Sequence, residues 1–209
     1  GIVDYGAGNV RSVLTAVEHL GYPGKITDSP EEVLKADRII FPGVGAAREA
    51  MRNLDRLNLT FAIRKVAAEG KPFLGICLGY QILFEQSQED GQTDCLGILS
   101  GDVAHFRTDL HAEGTSQGTT KLKVPHMGWN GIAFSQKASG NHPIFRDVPV
   151  DSEFYFVHSY YPRPIEEDVA LYTEYGGWFA SGVHRSNIIA LQFHPEKSGR
   201  PGLTLLENF

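Results

Sequence analysis

The first half of the chain alternates between helical and extended spacing. Ile2 and Val3 open it as a short strand, and Val10, Val13, Leu14, Val17 and Leu20 then share one face of a 3.6-residue repeat that Gly21 can close. Ser29, Pro30 and Glu32 supply an N-cap, a first-position proline and a capping-box acid, so a short helix starts there. Residues 38–41 read as a buried strand ended by Pro42. Helical patterns cover 46–54 and 60–69, the second closed by Gly70. Residues 73–76 form the next apolar run, and the segment after it is helix-compatible through Phe84. Repeated strand, helix, strand predicts an α/β fold with a mostly parallel central sheet and helices on both faces.

The second half carries extended patterns at 98–106, 122–124, 154–160, 169–173, 178–183 and 188–193, then a final helix from 202. This predicts an added antiparallel strand region. Residues 109–120 are polar and rich in Gly, Ser and Thr, which reads as a mobile loop. No repeat or linker divides the chain, so one domain over 1–209 is expected.

The sharpest local signal is Gly75-Ile76-Cys77-Leu78-Gly79, which follows the apolar run directly. A nucleophile on a tight strand-to-helix turn needs small neighbours, and the helix beyond it favours thiolate at its start. A buried core cysteine is the alternative. His194 ends the apolar run 188–193, and Glu196 lies two residues on, where an extended chain points to the same side. That pair suits a base and its orienter, or a strand-end histidine beside a surface acid. Pro42-Gly43-Val44-Gly45 can turn its backbone N–H groups outward as an oxyanion hole, or be a plain turn. A phosphate cradle would need Gly-x-x-x-x-Gly-Lys-Ser/Thr spacing, which is missing. The turn at residues 4–9 has two glycines of a dinucleotide fingerprint but lacks the third, which argues against a nucleotide cofactor.

Composition narrows the class. The 209 residues carry a net charge of -6, which gives no support for a nucleic-acid partner, and no apolar run is long enough for a membrane span. Two cysteines, Cys77 and Cys95, do not make a disulfide framework, and a reducing cytoplasm suits a usable thiol. Cys95 lacks flanking glycines and reads as structural. The eight histidines show no metal-ligand spacing, so neither metal nor cofactor is expected. No signal-peptide pattern opens the chain. It begins with Gly and ends inside a helical pattern, as would a trimmed chain or one module of a longer fused polypeptide.

Together, Pro42 to Gly45, Gly75 to Gln81 and His194-Pro195-Glu196 resemble the class I (triad) glutamine amidotransferases, whose sheet is flavodoxin-like. Val124 to Asn130, Tyr155 to Tyr160, Phe193 to Ser198 and the opening Asp4 to Ser12 are similar to the glutaminase subunits of imidazole glycerol phosphate synthase. The resemblance implies Cys77 as nucleophile, His194 as base and Glu196 as its orienter, with backbone N–H groups of Val44 and Leu78 as the oxyanion hole. It implies L-glutamine contacts at Gly45, Gln81, Ser159 and Tyr160. It also implies a heterodimer with a (βα)8-barrel cyclase that receives the ammonia, with Pro125, Met127, Trp129, Asn130, Tyr155 and Lys197 at the interface. Core packing is the competing reading of Met127 and Trp129. The Gly43–Val44 peptide is expected to rotate on activation. Tyr80, where many relatives carry Met or Val, is expected to pack. Two readings compete with this one. The first is an amidotransferase of anthranilate, vitamin B6 or GMP synthesis, which the Pro-His-Met-Gly-Trp-Asn segment disfavours. The second is a binding module without activity, which intact Cys77, His194 and Glu196 disfavour.

Overall fold

A computed structural model describes residues 1–106, 111–112, 120–136 and 142–209. Most of the 109–120 segment lies outside these, although His111–Ala112 pairs antiparallel with Thr120–Lys121. An eight-stranded sheet forms the centre, in the spatial order Ala133–Phe134, Val169–Glu174, Trp178–Arg185, Ile188–Leu191, Phe73–Cys77, Ile39–Gly43, Ile2–Val3, Ile26–Thr27. The last five pair in parallel. The first four pair antiparallel. The mostly parallel sheet with an antiparallel second-half extension is therefore observed.

Strand alternation builds two cores. Ile39, Phe41 and Phe73 face one side and pack on the helices Pro30–Lys35, Ala47–Arg56 and Leu59–Ala68 through Val33, Leu54 and Ile63. Ile40, Leu74 and Ile76 face the other side and meet Val13 of Val10–His19 and Leu205 of Gly199–Asn208. Ser29 caps its helix as its sequence suggests, its side chain accepting from the Glu32 N–H.

Four expectations are corrected. Pro42 does not end its strand, which runs to Gly43. Proline is tolerated there because the neighbouring strand pairs only at Ile40 and leaves that side of residue 42 without a partner. The helix after Cys77 ends at Gln81, not Phe84. The N–H groups of Leu83 and Phe84 reach back only three residues, to the Tyr80 and Gln81 carbonyls, so the turn tightens and the α-helix stops. Residues 122–124 are not a strand. The strand is His126–Gly131, paired antiparallel with Glu153–His158. Finally, 154–160 is two strands broken at Ser159, because Tyr160–Pro164 leaves that partner and pairs with Gly101–His105.

One contact fixes where Cys77 sits. A Cβ at Gly79 would collide with the Phe41 carbonyl oxygen, so only glycine lets the turn press onto the neighbouring strand. Gly79→Ala is expected to lower stability by about 2–3 kcal/mol. Gly131→Ala, where a Cβ meets nothing within 4 Å, serves as the neutral control. Urea midpoints of the two variants check this, and equal midpoints would refute the contact's importance.

Candidate active site

Cys77 occupies φ 55°, ψ -110°, a conformation that a non-glycine residue adopts only under constraint. The constraint is the Gly79 approach together with the tight wall around Gly75, where a Cβ would press on Ala190 and Leu83. The elbow predicted from the glycines is therefore present. The helix after it is a single turn, too short for its dipole to matter much. Charge at the sulfur must be balanced by a side chain instead.

That side chain is His194. It ends the segment beside the Phe73–Cys77 strand and is 1% exposed. Its Nδ1 lies 2.8 Å from Glu196 Oε1, and the Glu196 side chain is fully buried. Nε2 makes no hydrogen bond among the described residues and is left to the Cys77 side of the ring, where the sulfur contacts it. Burial pulls the His194 pKa down. The charge of Cys77 and its contact with the ring push it up, with help from Glu196, and the net result is a rise to about 10. The imidazolium is thus the stable form whenever the sulfur is charged.

Asn9, which no motif in the sequence marks, completes this corner. It sits at the start of Val10–His19 with φ 64°, a conformation asparagine accepts readily, yet its side chain does not cap that helix. Its Nδ2 donates to Glu196 Oε1 instead. Gln192 is equally unmarked. It is fully buried, accepts from Gln81 Nε2 at 3.1 Å, and its Nε2 is 3.8 Å from the Cys77 sulfur.

Beside Cys77 opens a cavity of about 330 Å³. Its lining includes Val44, Gly45, Leu78, Gln81, Ser159 and Tyr160, all six of which were expected at the oxyanion hole or the glutamine contacts. Pro125, expected at the interface, lines it too. Glu89 was not expected and is the one carboxylate among the lining residues. Burial raises its pKa, and the Ala47 N–H, bonded to Oε2 at 2.7 Å, offsets part of that rise. Leu78 begins its helix, so its N–H has no intrahelical acceptor. The Val44 N–H donates to the Ala7 carbonyl at 2.8 Å, and Ala7 is not a lining residue.

Of the residues expected at an interface, Pro125 lines the cavity and Met127 to Asn130 lie on the strand paired with that of the lining residue Val157. Met127 is 62% and Trp129 54% exposed, which decides against core packing. Trp129 stands across the strand pair from Tyr155, with ring centres 6.1 Å apart, and Lys197 Nζ lies 6.0 Å over the Tyr155 ring. Asn130 falls on the opposite face of its strand. Its Nδ2 donates to the Glu174 carbonyl at 2.9 Å and lies 3.3 Å from His126 Nε2. His126 Nδ1 is 3.0 Å from His158 Nε2, and His158 Nδ1 is 2.8 Å from the Tyr160 carbonyl. A carbonyl only accepts, so one arrangement of protons satisfies this chain, with both rings neutral. Burial agrees, lowering His126 to about 4 and His158 to about 3.

Tyr80 is fully buried, as expected of a packing residue. Cys95 is buried, and burial pushes its thiol up to about 12, which suits a structural role. Among the described residues no group of His, Cys, Asp or Glu could hold a metal ion, and no helix is long and apolar enough to cross a membrane.

The family model for "Glutamine amidotransferase class-I" matches residues 1–209. The chain belongs to the class I glutamine amidotransferases. Among this family's curated members, "Imidazole glycerol phosphate synthase subunit HisH" of Moorella thermoacetica is 47% identical, covering 100% of this chain and 92% of its own. The protein of the same name from Nitrosospira multiformis is 48% identical, covering 100% and 95%. Two solved amidotransferase-type structures share the fold. "Crystal structure of glutamine amidotransferase" has a TM-score of 0.70 at 18% identity, covering 99% of this chain and 98% of that one. "Structure of PurLQS from Thermotoga maritima" has 0.68 at 20%, covering 99% and 94%.

The His194 shift sets a stability prediction. Its folded pKa is raised above the ordinary 6.5, so its contribution is full below about pH 6.5 and is lost as pH rises toward about 10. Urea unfolding at pH 7 and pH 9.5 is expected to show this decline in the wild type and a flatter profile in His194→Gln. Parallel profiles would contradict the assignment.

Proposed function

We propose that this protein is the glutaminase subunit of imidazole glycerol phosphate synthase, with Cys77, His194 and Glu196 as its catalytic residues. The observation that carries the reading is Cys77, held at positive φ beside the buried His194–Glu196 pair at the floor of a cavity lined by the six expected residues. The Cys77 sulfur attacks the side-chain amide carbon of L-glutamine, forming a C–S bond and a tetrahedral oxyanion. The imidazolium of His194 gives its proton to the leaving nitrogen, the C–N bond breaks, and ammonia departs from a glutamyl thioester. Neutral His194 then takes a proton from water, whose oxygen attacks the thioester. Glutamate leaves and the thiolate is restored. Glu196 holds Nδ1 protonated so that Nε2 does this work, and Asn9 holds Glu196.

The oxyanion requires two N–H donors. Leu78 supplies one from the start of its helix. The second, Val44, is committed to Ala7 and must turn before it can serve. A subunit resting in this state would be a slow glutaminase until a partner turns the peptide, which prevents futile hydrolysis. Glu89 is placed to take the α-ammonium of glutamine, because a substrate carrying a cation needs a carboxylate and the cavity has this one.

The partner is read as a (βα)8-barrel cyclase, forming a heterodimer over the rim of Met127, Trp129, Tyr155 and Lys197 and converting a formimino ribonucleotide to imidazole glycerol phosphate and AICAR. The exposed Met127 and Trp129, on the strand paired with that of the lining residue Val157, fit an interface through which ammonia passes. Relatives near half identical over the full chain bear that synthase's name. A structure named for GMP synthesis is 20% identical, which speaks to fold alone. Two free thiols fit a cytoplasmic location.

Cys77→Ala is expected to lower glutamine hydrolysis by at least about 10⁴-fold. Ammonia added to the same complex should still support product formation. Loss of both would show that the chain acts on the nucleotide. Glu89→Gln is expected to raise KM for glutamine about tenfold or more with kcat largely kept, and an unchanged KM in steady-state assays would remove Glu89 from substrate binding.

A further inference from the structure

Tyr5 is 1% exposed, and its hydroxyl has no hydrogen-bond partner among the described residues. A buried hydroxyl without a partner is costly and calls for an explanation. Its position is specific. A Cβ at Gly43 would overlap the Tyr5 hydroxyl oxygen, so that oxygen lies in the space any other side chain at 43 would fill. Gly43 has no positive φ. It is glycine for room, and the room is taken by Tyr5.

The same loop holds the other half of the arrangement. Ala7, two residues after Tyr5, accepts the Val44 N–H at 2.8 Å. The Gly43–Val44 peptide therefore directs its N–H toward this loop and its carbonyl away from it. Turning the peptide over exchanges the two directions. The Gly43 oxygen would then face the Ala7 oxygen in a partly buried space, two acceptors with no donor between them. Tyr5, whose hydroxyl lies against Gly43, is the unspent donor of this loop.

We propose that Tyr5 is a positioning residue that receives the Gly43 carbonyl when the Gly43–Val44 peptide turns to bring the Val44 N–H into the glutamine cavity. The inference rests on the glutaminase reading above. In one state the loop accepts from Val44 through Ala7. In the other it donates to Gly43 through Tyr5. One hydrogen bond is exchanged for another, so the two orientations stay close in energy and a partner can select between them. Burial, and after it the charges of Cys77 and Asp4, raise the Tyr5 pKa, which keeps the hydroxyl protonated and able to donate.

The test uses the full chain with the cyclase subunit, with and without the cyclase's formimino ribonucleotide, and follows glutamate formation. Tyr5→Phe removes one oxygen and keeps the ring on Phe41, 5.2 Å away between centres. The expected result is a fall of about tenfold in the ratio of stimulated to unstimulated kcat, with KM for glutamine unchanged. The Val44 amide signal in ¹⁵N NMR is expected to move on stimulation in the wild type and to stay at its resting position in Tyr5→Phe. A variant that keeps the wild-type ratio, or whose Val44 amide moves as in the wild type, overturns the proposal. So does a shift in the pH profile of Cys77 alkylation, which would assign the hydroxyl to the sulfur instead. Absence of stimulation in the wild type would refute the coupled-subunit reading, a failure distinct from these.

Discussion

The site depends on a register. Gly43 pairs with Cys77, and Leu191 pairs with Ile76, so three parallel strands end at one level. Parallel strands present their carboxyl ends on the same edge, which is where open α/β sheets bind ligands. Here that edge delivers Gly43, Cys77 and, three residues past Leu191, His194, the groups proposed above as oxyanion strand, nucleophile and base. The register is locked by the contact between Gly79 and the Phe41 carbonyl, because any larger residue would lift the turn off its neighbour. The strain at Cys77 is supported by the same contact.

Electrostatics at this edge is divided by burial. His194 is the imidazole whose neighbours outweigh its desolvation, since both the sulfur and Glu196 favour its charged form. His126 and His158, the second of which lines the cavity, have no charged partner in their hydrogen-bonded chain, and burial keeps them neutral. Three histidines near one cavity therefore perform two different tasks. Their partners decide which, not their depth.

Much of this was legible in the chain. The glycines around Cys77, the His-x-Glu spacing at 194–196 and the apolar runs of the parallel sheet each carry a local physical requirement, and each is met where the pattern placed it. What escaped detection was less local. The strand His126–Gly131 reverses the usual alternation, with Met127 and Trp129 outward and His126 inward, so its pattern does not read as a strand. Pro42 reads as a stop, yet it continues because its neighbour pairs no further than Ile40. The helix after Cys77 ends early because the Leu83 and Phe84 N–H groups bond only three residues back, a tightening that the residue pattern does not mark. Asn9, Glu89 and Gln192 reach the site although no sequence pattern marks them for a role there. The opening loop shows this most clearly. Its glycines suggest a nucleotide turn that is incomplete, while its actual partners are Val44 and Glu196.

The imidazole chain from Tyr160 through His158 and His126 to Asn130 also has a mechanical meaning. The Asn130 amide gives one N–H to the Glu174 carbonyl and one to His126, from which the donors run on to the Tyr160 carbonyl, so its links cannot be exchanged singly. It stitches the strand that bears Trp129 to the corner that bears Ser159. The outward tryptophan and the inward serine thus belong to one stiff plate. Pressure applied at the rim arrives at the mouth of the cavity as displacement, not as slack.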